Sequence, residues 1–171
     1  MAEVAEVARD EGVRVALIGG YALQLYGSDR LTGDIDVVAE ASLAQLPPGP
    51  PLSFGGYQTE APNGVPIDLV LRSDDYTSLY DEALADAVRM QESAMPVARL
   101  EHIAAMKMVA SRPRDDADLE WIILSGEADL QAARTVIHRH LGRYAADEWE
   151  RLVDETRWRA SRERKRPPRG P

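Results

Sequence analysis

Asp34 and Asp36 flank a single apolar residue in the run Asp34-Ile35-Asp36-Val37-Val38. In a strand, alternation puts both carboxylates on one face, and two like charges that close repel unless something positive sits between them. Mg2+ is the usual answer, because it takes oxygen ligands from one or two carboxylates and the remainder from phosphates and water. The plainer alternative is an edge strand with two solvated acids. Asp68 lies inside Val65-Pro66-Ile67-Asp68-Leu69-Val70-Leu71, where an unpaired buried carboxylate is costly. It either points to the exposed face of a half-buried strand or has a partner, a metal or a basic residue. In the second case three carboxylates on neighbouring strands share one metal site.

Gly19-Gly20 stands where a strand feeds a helix, fourteen residues ahead of Asp34. With no Cβ in the way, backbone N–H groups there can approach a phosphate closely, although a tight turn alone also explains the pair. Asp115 and Asp118 fall at i and i+3 at a helix start and face the same way, which suits capping or a structural, Lys-orienting role. His138 and His140 diverge on their helix and make no metal site. Trp121, Trp149 and Trp158, at helical positions, read as packing residues.

The elements that must position these groups follow from the apolar pattern. Residues 3–11 read as a short helix, Val13 to Ile18 as a mostly buried strand, Tyr21 to Tyr26 as a helix, Asp34 to Val38 as a second strand and Leu43 to Leu46 as a short helix. Pro47-Pro48-Gly49-Pro50-Pro51 must be an exposed connection. Weak strand signals follow at Leu52 to Gln58 and a clear strand at Val65 to Leu71, then a helix over Tyr76 to Ala87 and two short strands at Val88 to Gln91 and around Pro96-Val97. From Arg99 the period becomes 3.6, with helices beginning at Leu100 and spanning Ala117 to Leu124, Leu130 to Leu141 and Ala145 to Trp158. The expected organisation is a sheet-forming core over 1–98, a helical region over 99–160 packed on it, and a disordered basic tail over 161–171.

The chain has 171 residues, a net charge of −9, no Cys and 44% hydrophobic residues. That length suffices to bury roughly 70% of the unfolded surface in one core. Disulfides and thiolate metal sites are excluded, and no apolar run approaches the roughly 20 residues of a membrane helix. The opening residues Met1 to Glu6 lack the features of a signal peptide, so a cytoplasmic protein with no membrane partner is expected. Charge is unevenly spread: seven basic residues from Arg157 onward face Glu163 alone, leaving the tail at +6 and residues 1–156 at −15. An acidic body argues against a nucleic-acid coat.

Gly19-Gly20-Tyr21-Ala22-Leu23, Gly27, Arg30, Thr32, Gly33 and Asp34-Ile35-Asp36, followed by Ile67-Asp68-Leu69, resemble the nucleotidyltransferase superfamily typified by DNA polymerase β. Within it the chain is similar to the minimal, AbiEii-like branch that supplies toxins of toxin-antitoxin systems: Val97, Leu100-Glu101, Ile103-Ala104 and Lys107, then Arg112 and Arg114-Asp115-Asp116-Ala117-Asp118-Leu119, match its Lys-bearing helix and the basic, acidic segment after it. The resemblance covers residues 13–124. It implies an α/β (α+β) nucleotidyltransferase fold, a mixed sheet flanked by helices with a helical C-terminal half. It also implies transfer of a nucleoside monophosphate from a nucleoside triphosphate such as ATP to an acceptor hydroxyl, with Mg2+ held by Asp34, Asp36 and Asp68 and Asp68 as general base. Gly19, Gly20, Arg30, Thr32 and Lys107 would bind the nucleotide, Lys107 and Arg30 neutralising the triphosphate; read as residues alone, Arg30 is equally a loop cation, and the alternative for Lys107 is a solvated helix face, which its neighbours Ala104, Met106, Met108 and Ala110 make less obviously exposed. Many members carry Ser or Thr after the paired glycines; Tyr21 here leaves phosphate binding to the backbone. The acceptor would be RNA, such as tRNA, or a protein, with a cognate antitoxin as partner. The alternatives are an antibiotic nucleotidyltransferase of the aminoglycoside or lincosamide type and a nucleotide- or partner-binding module without turnover.

Overall fold

The computed structural model describes residues 1–61 and 63–164. Four strands, β1 (Val15–Ile18), β2 (Ile35–Ala39), β3 (Gly56–Glu60) and β4 (Pro66–Val70), form one mixed sheet in the order β1-β2-β4-β3. Among the described residues they are joined by seven helices: α1 (Ala2–Asp10), α2 (Gly19–Leu25), α3 (Thr77–Ala85), α4 (Leu100–Ala110), α5 (Pro113–Ser125), α6 (Leu130–Leu141) and α7 (Arg143–Arg164). The fold is α+β. β2 runs antiparallel to β1 and parallel to β4, and β3 is antiparallel to β4. The register sets Asp36 opposite Ile18 on one side and opposite Asp68 on the other.

Burial explains the strand sequences. β1 is buried at every position, and β2 and β4 are buried except at Asp36, Asp68 and the leading Pro66, the near-continuous apolar pattern of strands covered on both faces. β3 alternates, with Tyr57 and Thr59 inward. Its free edge is covered by the proline-rich connection, where Gly49 N–H donates to Gln58 O and Gln58 N–H to Pro50 O, both at 2.8 Å. That connection is exposed, as its prolines require. α2 packs on β1 and β2; α3 packs on those same strands and on α4. α4 in turn packs on α5 and α6, and α6 on α7. Trp149 is fully buried in α7, its indole N–H donating to Leu130 O at 3.2 Å. No described helix is long and apolar enough to cross a membrane.

Several expectations change. Leu43 to Leu46 is a hydrogen-bonded turn rather than a helix: Glu11 accepts the amides of Ala44 and Gln45 at 2.7 and 3.0 Å, and Pro47 blocks any continuation. Val88 to Gln91 and Pro96-Val97 are single bridges, Val88 with Val97 and Val97 with Leu17, not strands. α2 starts at Gly19, not Tyr21, and α5 starts at Pro113, four residues before the expected Ala117, because Pro at the first helical position and Asp115 in the first turn favour initiation there. α7 continues to Arg164, so residues 161–164 of the stretch expected to be disordered are helical, and 165–171 lie outside the described residues. Trp158 is exposed rather than packed, with the Arg162 guanidinium 4.3 Å above its ring. That i,i+4 contact supports the added turn.

Gly12 and Gly19 have nearly the same left-handed backbone, φ +67° and +68°, but a Cβ at Gly12 meets open space whereas one at Gly19 falls 1.9 Å from Asp36 Oδ2. Gly12→Ala is expected to cost only the backbone strain, about 1–2 kcal/mol, and Gly19→Ala distinctly more in urea unfolding. Asp36→Ala removes the Oδ2 and Cγ contacts, and in that background the excess at Gly19 should shrink.

Candidate active site

Asp36 stands on β2 and Asp68 directly beside it on β4; Asp34 immediately precedes β2. One carboxylate oxygen from each lies within 4.8 Å of the other two. The three acids differ electrostatically. Thr32 Oγ1 donates to Asp34 Oδ1 at 2.6 Å and holds that carboxyl below its ordinary value. Asp36 is pushed up from 3.8 to about 6, first by burial and then by the charges of Asp34 and Asp68. Gln58 Nε2 donates to Asp68 Oδ1 at 3.1 Å from the neighbouring strand. This donor set is all oxygen and short of positive charge, which suits Mg2+.

The glycines do more than turn the chain. At Gly19 the place of a side chain is filled by the Asp36 carboxylate; at Gly20 it is filled by Arg30 Nη1, 2.3 Å from a built Cβ, and by Thr32 at 3.1 Å. Gln24 Nε2 donates to Arg30 O at 2.6 Å and ties this loop to α2. The missing side chains therefore let the site's own acid and cation close in over the start of α2.

Opposite the acids, α4 brings Lys107, 6% exposed. Its ammonium donates to Asp115 Oδ1 at 2.9 Å and Asp118 Oδ2 at 2.5 Å. Both acids lie on the first turns of α5 and are buried. Asp118 Oδ1 also pairs with Arg30 Nε at 3.3 Å. Asp115 accepts the backbone N–H of Arg112 at 3.1 Å and its Nε at 2.8 Å. Burial opposes ionisation of Asp115, yet the hydrogen bonds from Arg112 and Lys107 outweigh it and hold the carboxyl down at about 2. Three cations around two carboxylates leave a net positive wall, as a Lys-orienting role for Asp115 and Asp118 would require.

Between the walls is a cavity of about 360 Å³, within the range of small-molecule sites. Gly19, Gly20, Arg30, Thr32, Asp34, Asp36, Asp68 and Lys107 all line it, so the fold brings together the residues expected to bind metal and nucleotide, with Asp115 and Asp118 bonded behind Lys107. It adds Arg72, Arg112, Arg114, Phe54 and Tyr80. Arg72 sits among the rings of Phe54, Tyr76 and Tyr80, 4.9–5.9 Å from their centroids, and pairs with Asp74 at 2.5 Å. Sequence reading passed over Arg72, although Asp68, Val70 and Arg72 share the period-two spacing of one strand face. His138 and His140 stay apart from this cavity, His138 exposed and His140 bonded to Ser78 and Glu82.

No protein-family model and no curated protein matches the chain. Solved structures that are similar to it include the resistance factor ANT(2'')-Ia in complex with adenylyl-2''-tobramycin, at 16% identity over 92% of this chain and 95% of that one, TM-score 0.47. An antigenic nucleotidyltransferase-like protein from Paracoccidioides brasiliensis is similar at 14% identity over 90% and 89%, TM-score 0.45. A tRNA nucleotidyltransferase complexed with a primer tRNA and an incoming ATP analog is similar at 15% identity over 90% of this chain and 60% of that one, TM-score 0.34.

Asp115 supplies a test of the positive wall. Its folded value of about 2 lies below the ordinary 3.8, so the unfolded chain binds the proton first and the stabilisation, full above about pH 4, is lost as pH falls toward 2. Asp115→Asn should flatten that acid limb. It should also cost on the order of 3 kcal/mol at neutral pH, because Lys107 keeps only one of its two buried anions; urea unfolding at several pH values measures both.

Proposed function

We propose that this chain is a Mg2+-dependent nucleotidyltransferase, moving a nucleoside monophosphate from a nucleoside triphosphate to an acceptor hydroxyl with release of pyrophosphate. The observation that carries the reading is the meeting of opposite charges in one cavity: Asp34, Asp36 and Asp68 with converging oxygens, and Lys107, Arg30, Arg112 and Arg114 lining the same space. Such a cavity accommodates a polyanion bound through cations at one end and through a shared divalent ion at the other. Asp34, Asp36 and Asp68 would hold Mg2+, which when bound supplies charge neutralisation at the reacting phosphate and at the entering and leaving oxygens.

The chain's own groups do the rest. Lys107 and Arg30 contact the triphosphate and meet the charge that develops on pyrophosphate as the bond from the α-phosphorus to the bridging oxygen breaks. Their shared anion, Asp118, fixes both in place before substrate arrives. Thr32, by holding Asp34 ionised, keeps a ligand ready. Asp68 takes the proton of the acceptor hydroxyl as its oxygen bonds to the α-phosphorus; Gln58 engages Oδ1 and leaves Oδ2 free to accept it. Gly19 and Gly20 place Asp36 and Arg30 against the start of α2.

For the acceptor, the resemblance to toxin nucleotidyltransferases favours RNA, tRNA among them, or a protein, with the chain acting in the cytoplasm and held in check by an antitoxin. A cationic drug of the aminoglycoside type is the second reading, favoured by the acidity of residues 1–156.

Incubation with each labelled nucleoside triphosphate, Mg2+, total tRNA, cell extract and an aminoglycoside panel should label one acceptor. Asp34→Asn or Asp36→Asn should abolish that label, and calorimetry should show Mg2+ binding lost. No label in any acceptor and no Mg2+ uptake with nucleotide present would sink the reading. The folded chain keeps the Asp36 proton up to about 6 whereas the unfolded chain releases it near 3.8, so metal-free stability falls as pH rises through that window. Metal-free Asp36→Asn should therefore be the more stable protein at about pH 7.5, by on the order of 2 kcal/mol.

Truncating residues 165–171, which include Lys165, Arg166 and Arg169, separates the acceptors. An RNA acceptor should show a raised apparent KM and a flatter salt dependence; a drug acceptor should react as before.

A further inference from the structure

A second group of metal-binding side chains lies outside the catalytic cavity, between α3 and α4. Glu82 on α3 and Asp86 at its end are four residues apart and share a helix face. His102, in the first turn of α4, points at both: its Nε2 is 3.6 Å from Glu82 Oε1 and 3.8 Å from Asp86 Oδ2. His102 is only 2% exposed, and neither ring nitrogen has a hydrogen-bond partner among the described residues.

The spacing matters. Both separations are too long for a hydrogen bond. A buried imidazole whose two ring nitrogens have no partner is costly. Ligand atoms around a tetrahedral ion with bonds of about 2.0–2.2 Å stand roughly 3.3–3.6 Å apart, so the two gaps to His102 need to close by only a few tenths of an ångström. The three donor atoms lie within 4.8 Å of one another.

We propose that Glu82, Asp86 and His102 form a structural site for a zinc-type divalent cation that ties α3 to α4. The imidazole donor selects such an ion over Mg2+. Neighbouring side chains already orient Glu82 as a ligand. His140 Nε2 contacts its Oε2 at 2.5 Å, His140 Nδ1 is held by Ser78 Oγ at 3.0 Å, and Arg139 contacts Oε1. Arg99 Nε, donating to Asp86 O at 3.1 Å, fixes the other ligand's backbone. Such supporting bonds set ligand direction in metal sites. Among the described residues Arg139 is the Arg or Lys side chain in contact with these donors, and the two carboxylates outnumber it. The ion would clamp the helices that supply Tyr80 and Lys107 to the cavity.

The test uses the full chain carrying Asp34→Asn and Asp36→Asn, so that the catalytic acids do not compete for metal. After chelator treatment, Zn2+ should bind at one ion per chain by calorimetry, and at a hundredfold excess over its Kd should raise Tm by roughly 5–10 °C. Co2+ in its place should give the visible absorption of a four-coordinate N,O site. Asp86→Asn, at a half-exposed position that tolerates the change, should abolish the Tm shift and the Co2+ band, as should His102→Leu. No Zn2+-dependent shift in the parent, or a shift and band that survive Asp86→Asn, would overturn the proposal.

Discussion

Pairing β2 with β4 in parallel register sets the Asp36 and Asp68 carboxylates side by side, with Asp34 one strand-repeat away on the same face. Burial first, and then the charges of Asp34 and Asp68, push the Asp36 carboxyl up to about 6. Central strands buried on both faces would gain stability from Val or Ile at these positions. The fold instead keeps acids there and arranges its helical half to face them. The glycine pair makes room for Asp36, the loop at 30–34 returns Arg30 and Thr32 over it, and α4 brings Lys107 to the opposite wall.

The cationic wall is built by the same economy of sharing. Asp118 serves both Lys107 and Arg30, and Asp115 serves both Lys107 and Arg112. Every anion in this cluster touches two cations, so the wall stays positive while no charged group is buried alone. A single uncompensated member would cost several kcal/mol; the network spreads that cost over groups that are rigid in advance of any ligand.

Much of this was legible in the residues. Asp34, Asp36 and Asp68 stand out as acids in β-branched, apolar runs, and Lys107 as a cation among Ala104, Met106 and Met108. What could not be read was set by distant partners. Glu11, more than thirty residues away, accepts the amides of Ala44 and Gln45 and fixes a single turn there, which Pro47 ends. Val97 meets Leu17 on one side and Val88 on the other through one isolated bridge each, pairings with residues distant in sequence. The four-residue spacing of Glu82 and Asp86 is visible, but nothing local says that His102 will stand over them. α7 ran past its expected end because its last turns are held by contacts such as Arg162 on Trp158, which an apolar count does not register.

One carboxylate has an effect on motion. Asp115 caps the first turn of α5 through the Arg112 amide and also receives the Lys107 ammonium. Fraying of that turn would strand the buried lysine, so the usual freedom of a helix end is denied here. The start of α5 and the part of α4 around Lys107 are thereby tied through one buried ammonium. Neither helix can shift there without breaking a buried ion pair, so the charges of a site built on two separate helices are aimed by the same contacts that join those helices.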